Sequence, residues 1–282
     1  MTLSPPSRRT VRCVLIMLLT SGLAACAGIG QPSASDRLAT AQAMFAQRCQ
    51  TAGEKIYRTV DNVDGIYLMK LRPRELNFGG QFDLDDPYGS DVSGDGYFEV
   101  FLMGRDTKGS LVQQDAVKNG YGYVEAIDPQ DGKRYRFRSS METVGKKDST
   151  SYNVQVALKR NPNYDLNIYA FVVEKRIASG DAPRYGVTFD DISTREEREH
   201  WIAGSSLKVI DLRTNEVMAE RIGYMMDEGQ GSKAGGRAPW LMAEYHACPA
   251  FPRTPGGHPF KGYQTRNFVE RVLIPRQPSR LE

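Results

Sequence analysis

The densest run of side chains able to do chemistry is acidic: Asp83, Asp85, Asp86, Asp91 and Asp95, with Glu99 slightly further on. Within it, Asp91-x-Ser93-x-Asp95-Gly96 matches the first half of a calcium loop, where alternate oxygens surround the ion and a glycine permits the sharp turn. The second half departs from that pattern, because the closing glutamate position holds Leu102. Asp91, Ser93 and Asp95 are the candidate metal ligands, and calcium is the cofactor their oxygen chemistry would take. An ordinary Asp/Gly turn is the competing reading, since aspartate bonds its own backbone in turns. No other cofactor is expected.

Nucleophilic chemistry has less to work with. The histidines are His200, His246 and His258, and no serine sits in a Gly-x-Ser-x-Gly elbow. Gly204-Ser205-Ser206 follows His200 closely, but a nucleophile needs a positioned base and oxyanion donors, so a loop between helix and strand is the simpler expectation. The glycine-rich stretch at 229–236 places Lys233 before its glycine pair rather than after it, unlike a phosphate loop. Glu142, Glu174, Glu196 and Glu197 could be combined into carboxylate pairs, yet spacing alone joins no two of them. No catalytic residue is assigned.

Trp240, Tyr245 and His246 lead into a stretch rich in proline and glycine that runs to Tyr263. Aromatics on irregular backbone line binding surfaces, which makes these three a candidate binding surface. Burial over the core is the alternative, because large aromatics dominate core burial.

The N-terminus carries an address. Arg8, Arg9 and Arg12 precede an unbroken apolar run at 14–19, and small residues then lead to a cysteine. These are the three parts of an export signal, and the run is too short for a permanent membrane span, which takes about 20 apolar residues. Leu23-Ala24-Ala25-Cys26 closely resembles the lipobox of bacterial lipoproteins. The resemblance implies a signal peptide over residues 1–25, cleavage before Cys26, diacylation of its thiol and acylation of its new amino group with palmitate-type chains. Residue 27 is Ala rather than Asp, which implies sorting to the outer membrane, facing the periplasm. The membrane, through lipid, is then the first partner.

Residues 1–25 hold three of the 37 Lys and Arg and none of the 34 acids, so a chain that begins at Cys26 has balanced side-chain charge. That balance argues against nucleic-acid binding. In the implied compartment Cys13 leaves with the signal and Cys26 carries lipid, which leaves Cys49 and Cys248 to pair as a disulfide. A metal site from His246, Cys248 and His258 is the alternative, although the spacing matches no familiar zinc pattern.

The elements that must position these residues follow from pattern. A tether over residues 26–35 precedes a helix through about Gly53 with Leu38, Ala41, Phe45 and Cys49 on one face. Strands are expected at 65–71, 97–103, 121–127, 134–140, 152–159, 166–177, 185–189, 207–212 and 217–226, with hairpin turns at 128–133, 160–165 and 213–216. Ser193 and Glu196 suggest a capping box for a short helix, and a last helix spans 265–273. Forty per cent hydrophobic residues with 27 Gly, 15 Pro and 14 Tyr favour a well-cored, turn-rich β protein. The expected fold is α+β, mostly antiparallel hairpins in a sandwich or barrel, with a helix at each end and one domain over residues 36–282. The expected role is an accessory or inhibitor-type binding module with an envelope protein partner; the alternative is a calcium-assisted or carboxylate hydrolase of envelope material.

Overall fold

The computed structural model describes residues 33–75, 78–103 and 120–276. The lipobox, Cys26 and the expected signal peptide lie outside them. The chain divides into two units, Met1–Ala39 and Thr40–Glu282, and the architecture below is that of the second.

A single open sheet organises the protein. Its path runs β1 (Gly53–Ile56), β9 (Glu216–Met226), β8 (Ile202–Asp211), β7 (Tyr185–Asp191), β3 (Gly65–Leu68), β4 (Tyr123–Ile127), β5 (Arg134–Lys146) and β6 (Asn167–Ile177). β10 (Ala247–Cys248) pairs with β9, and β2 (Val60–Val63) forms a separate parallel pair with β11 (Leu273–Pro275). Mostly antiparallel pairing within an α+β chain agrees with the sequence expectation; a sandwich or barrel does not, because β1 and β6 end an unclosed path. β3 also runs parallel to both its neighbours, β4 and β7. Parallel strands need a long crossover, and here the β3-to-β4 connection carries α2 (Gly96–Met103).

α2 corrects the strand expected at 97–103. Its Tyr97, Phe98, Val100, Phe101 and Leu102 are all buried, so apart from Glu99 the segment is apolar and shows no clear helical stripe. With α6 (Gln264–Val272), which contributes Phe268, Val269 and Val272, it covers one face of the sheet against Ile66, Leu68, Val124, Phe189 and Leu207. Each such side chain contributes roughly 1.5–3 kcal/mol on burial. A second core holds Tyr88, Trp201, Met225 and Trp240 of α5 (Pro239–Met242); a third joins Ala41 of α1 (Ala34–Cys49) to Ile202, Tyr224 and Met226.

The expected strand at 152–159 is also a helix, α3 (Tyr152–Arg160), with only Val154 buried. β5 therefore pairs with β6 across that helix rather than through a hairpin at 160–165. The short helix α4 (Arg195–Glu199) is capped one residue later than expected: Thr194 accepts from Glu197 N while the Glu197 carboxylate accepts from Thr194 N. The hairpins at 128–133 and 213–216 form as anticipated.

The Cys49–Cys248 disulfide is present, joining the last residue of α1 to β10 with Cα atoms 5.5 Å apart. No helix among the described residues is long and apolar enough to cross a membrane.

Candidate functional site

Five pieces of the fold converge on a cleft of about 370 Å³. The chain leaving β3 supplies Leu71 and Arg74; the start of α2 supplies Asp95, Phe98 and Glu99. The β4–β5 turn brings Asp128, and β5 and β6 bring Phe137, Val173 and Lys175. Phe98 stacks on Phe137 at 4.2 Å between ring centroids, which fixes α2 against the sheet and gives the cleft an apolar floor.

The charges around that floor are not equivalent. Arg74 Nη2 meets Asp95 Oδ2 at 2.8 Å in an exposed pair, which contributes little to stability. Lys175 Nζ meets Asp128 Oδ2 at 2.5 Å and also lies 4.1 Å from the Tyr135 ring. That bond, with the amide of Gln130 donating to the other oxygen, holds the Asp128 carboxyl below its ordinary range. The Glu99 carboxylate makes no hydrogen bond or ion pair among the described residues, while the Glu99 amide donates to Asp95 O. Partial burial, with Asp95 nearby, raises its carboxyl above the ordinary value. One cleft thus holds two carboxylates whose surroundings push them in opposite directions.

The acidic loop itself is built as a fastening. Arg72 Nη1 meets Asp86 Oδ2 at 2.8 Å, Arg72 Nη2 donates to Gly89 O, and the guanidinium lies 3.4 Å from the Phe189 ring centroid. A Cβ at Gly89 would come within 2.3 Å of Asp86 Oδ2, so the close approach requires glycine. Asp91 accepts from Thr265 N at 2.8 Å and from Thr265 Oγ1 at 3.1 Å, tying the loop to the start of α6. The candidate metal ligands are therefore committed apart, Asp91 to α6 and Asp95 to Arg74. No group of three or more metal-ligating side chains occurs among the described residues.

Trp240 lies in the core, fully buried, and donates Nε1 to Gly80 O at 2.6 Å. It offers no surface. Tyr245 and His246 are partly exposed: Tyr245 Oη lies 2.8 Å from His258 Nδ1, and His246 Nε2 lies 3.1 Å from Glu228. With Cys248 in the disulfide, the His246, Cys248 and His258 alternative is not assembled. Gly204, Ser205 and Ser206 belong to β8 rather than to a loop, and Ser205 and Ser206 are buried. Glu197 is engaged in its cap and with Arg48, and Glu174 with Arg176.

Asp95 and Glu99 stood out in the sequence, whereas Asp128, Phe137 and Lys175 did not. Asp128 begins a proline-glycine turn and its sequence signal is that of a turn; only the β4–β5–β6 register brings it to Lys175. No family model, no curated protein and no solved structure matches the chain.

Proposed function

We propose that this protein is a lipid-anchored component of the bacterial envelope that works as a binding module, with the Glu99 cleft as its recognition site. The composition of the cleft carries the reading. Its floor is aromatic and aliphatic, two of its cations are paired with carboxylates, and Glu99 is left to a ligand. Such a lining suits an amphipathic partner group, with its apolar part on Phe98 and Phe137 and a donor at Glu99. An envelope protein presenting such a group, in an accessory or inhibitor relationship, is the partner proposed.

The address rests on the likeness of Leu23-Ala24-Ala25-Cys26 to a lipobox. The Cys49–Cys248 bond supports it, because disulfides persist in oxidising compartments. On this reading the acyl chains of Cys26 hold the protein in the outer membrane on the periplasmic side, each buried methylene contributing about 0.8 kcal/mol.

The test is recovery of partners from crosslinked envelopes, read by mass spectrometry, with the lipidated wild type beside Gln130→Trp. Gln130 is an exposed lining residue, so the indole obstructs the cleft without entering the core. A stoichiometric partner held by the wild type and lost by the variant supports the reading; equal recovery by both overturns it. Cys26→Ala is expected to release the protein from the membrane fraction, and unchanged fractionation overturns the address.

A carboxylate hydrolase of envelope material is the second reading. It is favoured by the opposed shifts of Glu99 and Asp128 around one cleft, which suit an acid and a base. It requires turnover of glycan fragments that Glu99→Gln abolishes while the fragments still bind.

A further inference from the structure

Arg221 stands in β9 with its side chain under α6 and is 3% exposed. The two other buried arginines each have an anion: Arg72 meets Asp86 and Arg198 meets Asp191, both at 2.8 Å. The Arg221 side chain makes neither an ion pair nor a hydrogen bond among the described residues, and its Nε and Nη2 are sealed from solvent. A guanidinium keeps its charge at any pH a protein meets, so deprotonation offers no relief. Burying that charge without a counter-charge is strongly unfavourable.

Which nitrogens are unmatched matters. Nε and Nη2 form the side-on edge of the guanidinium, the fork that meets two oxygens of a carboxylate or phosphate in parallel. Around it the surroundings are aromatic and cationic. The Arg221 guanidinium lies 5.7 Å from the Tyr88 ring centroid and 5.9 Å from that of Phe268. Arg271, about half exposed, lies 5.6 Å from the same Phe268 ring. Its partner is Glu54, which sits opposite Arg221 in the β1–β9 register. One acid faces two arginines there. Nearby, buried Lys261 donates to Pro87 O, and Asp86 already answers Arg72.

We propose that Arg221 is the receptor of an anion-binding site between β9 and α6, which takes a carboxylate or phosphate group side-on. Arg271 supplies a second positive charge toward solvent. The site is separate from the Glu99 cleft, and its ligand carries the opposite charge to the one that cleft would favour.

Thermal unfolding of the full chain tests this, with sodium phosphate in one arm and sodium acetate in the other at ionic strength held constant with sodium chloride. A ligand that binds only the folded state raises Tm in a saturable way, by roughly 5–10 °C at a hundredfold excess over Kd for a chain of this size. The arm that responds distinguishes phosphate from carboxylate. Arg221→Met is expected to lose the response while melting in chloride no lower than wild type. Equal responses in both proteins, or no saturable rise in wild type with either anion, overturn the proposal. If the methionine variant does not fold, Arg221→Lys retains the charge without the fork. Its midpoint for the responding anion should weaken at least tenfold, and an unchanged midpoint overturns the proposal equally.

Discussion

Arg72 and Asp86 face each other at 2.8 Å with both side chains sealed from water. Through this pair the acidic loop is fastened to the chain leaving β3, while Asp91 fastens it to α6. A loop with two such attachments is a structural joint, whatever its resemblance to a cation site.

Breaking the joint from one side should be costly. Asp86→Asn leaves a buried guanidinium uncompensated, and denaturant unfolding should show a loss of about 3–5 kcal/mol. Asp86→Asn combined with Arg72→Met should lose clearly less than the sum of the single changes. Additivity within about 0.5 kcal/mol would mean that the two residues do not act as a pair.

The disulfide closes a loop of 199 residues. In the chain-entropy picture such a crosslink stabilises by about 5 kcal/mol, so Cys49→Ser with Cys248→Ser should lower the denaturant midpoint strongly. Peptide mapping without reductant should recover the linked Cys49 and Cys248 fragments. Free thiols in the oxidised protein would contradict the pairing.

Acid should loosen the β8–β9 hairpin through Asp211. Its carboxylate accepts from Arg184 and Arg58 and from the amide of Arg213, and the arginine bonds hold it well below the ordinary range. A carboxyl depressed in the folded state stabilises above its unfolded value, about 3.9, and loses that effect as pH falls toward the folded one. The stability difference between wild type and Asp211→Asn should therefore shrink as pH falls below about 4. A difference constant with pH would detach it from this ionisation.

Glu99 should behave in the opposite sense. Its carboxyl is raised by burial and by Asp95, so its contribution to folding is full below the unfolded value, about 4.3, and is lost as pH rises through the raised one. Glu99→Gln should be slightly more stable than wild type at neutral pH and indistinguishable from it in acid. Urea titrations at the two pH values decide; a variant less stable at neutral pH would show that the carboxylate is structurally required.

What could be read from the sequence was what is encoded locally. The hairpin at 128–133 has Asp, Pro and Gly where the turn needs them, and the one at 213–216 has Asn215 at φ +59°. α2 was hidden because a short apolar run buried at five of its eight positions carries too little periodicity to separate helix from strand. α3 was hidden for the reverse reason: Tyr152, Val154 and Val156 alternate with polar residues, yet the segment is a largely exposed helix. The placement of β3 between two parallel neighbours depends on crossovers, and no local signal records those. The cleft shares that difficulty, since Glu99 and Asp128 come to line one cleft only after α2 has packed on Phe137.

Mechanically, the sulfur link sets a stop. α1 is a 16-residue helix ending at Cys49. Drawn from its N-terminal end, those residues could lengthen from about 24 Å as helix to about 54 Å as extended chain. Beyond Cys49 the tension leaves the main chain and enters β10, which lies along β9. Four-residue β1, mostly exposed and next in line along the backbone, is bypassed. The fold thus carries an extensible lead of fixed maximum length, and the sheet is loaded through β10 rather than peeled from its edge at β1.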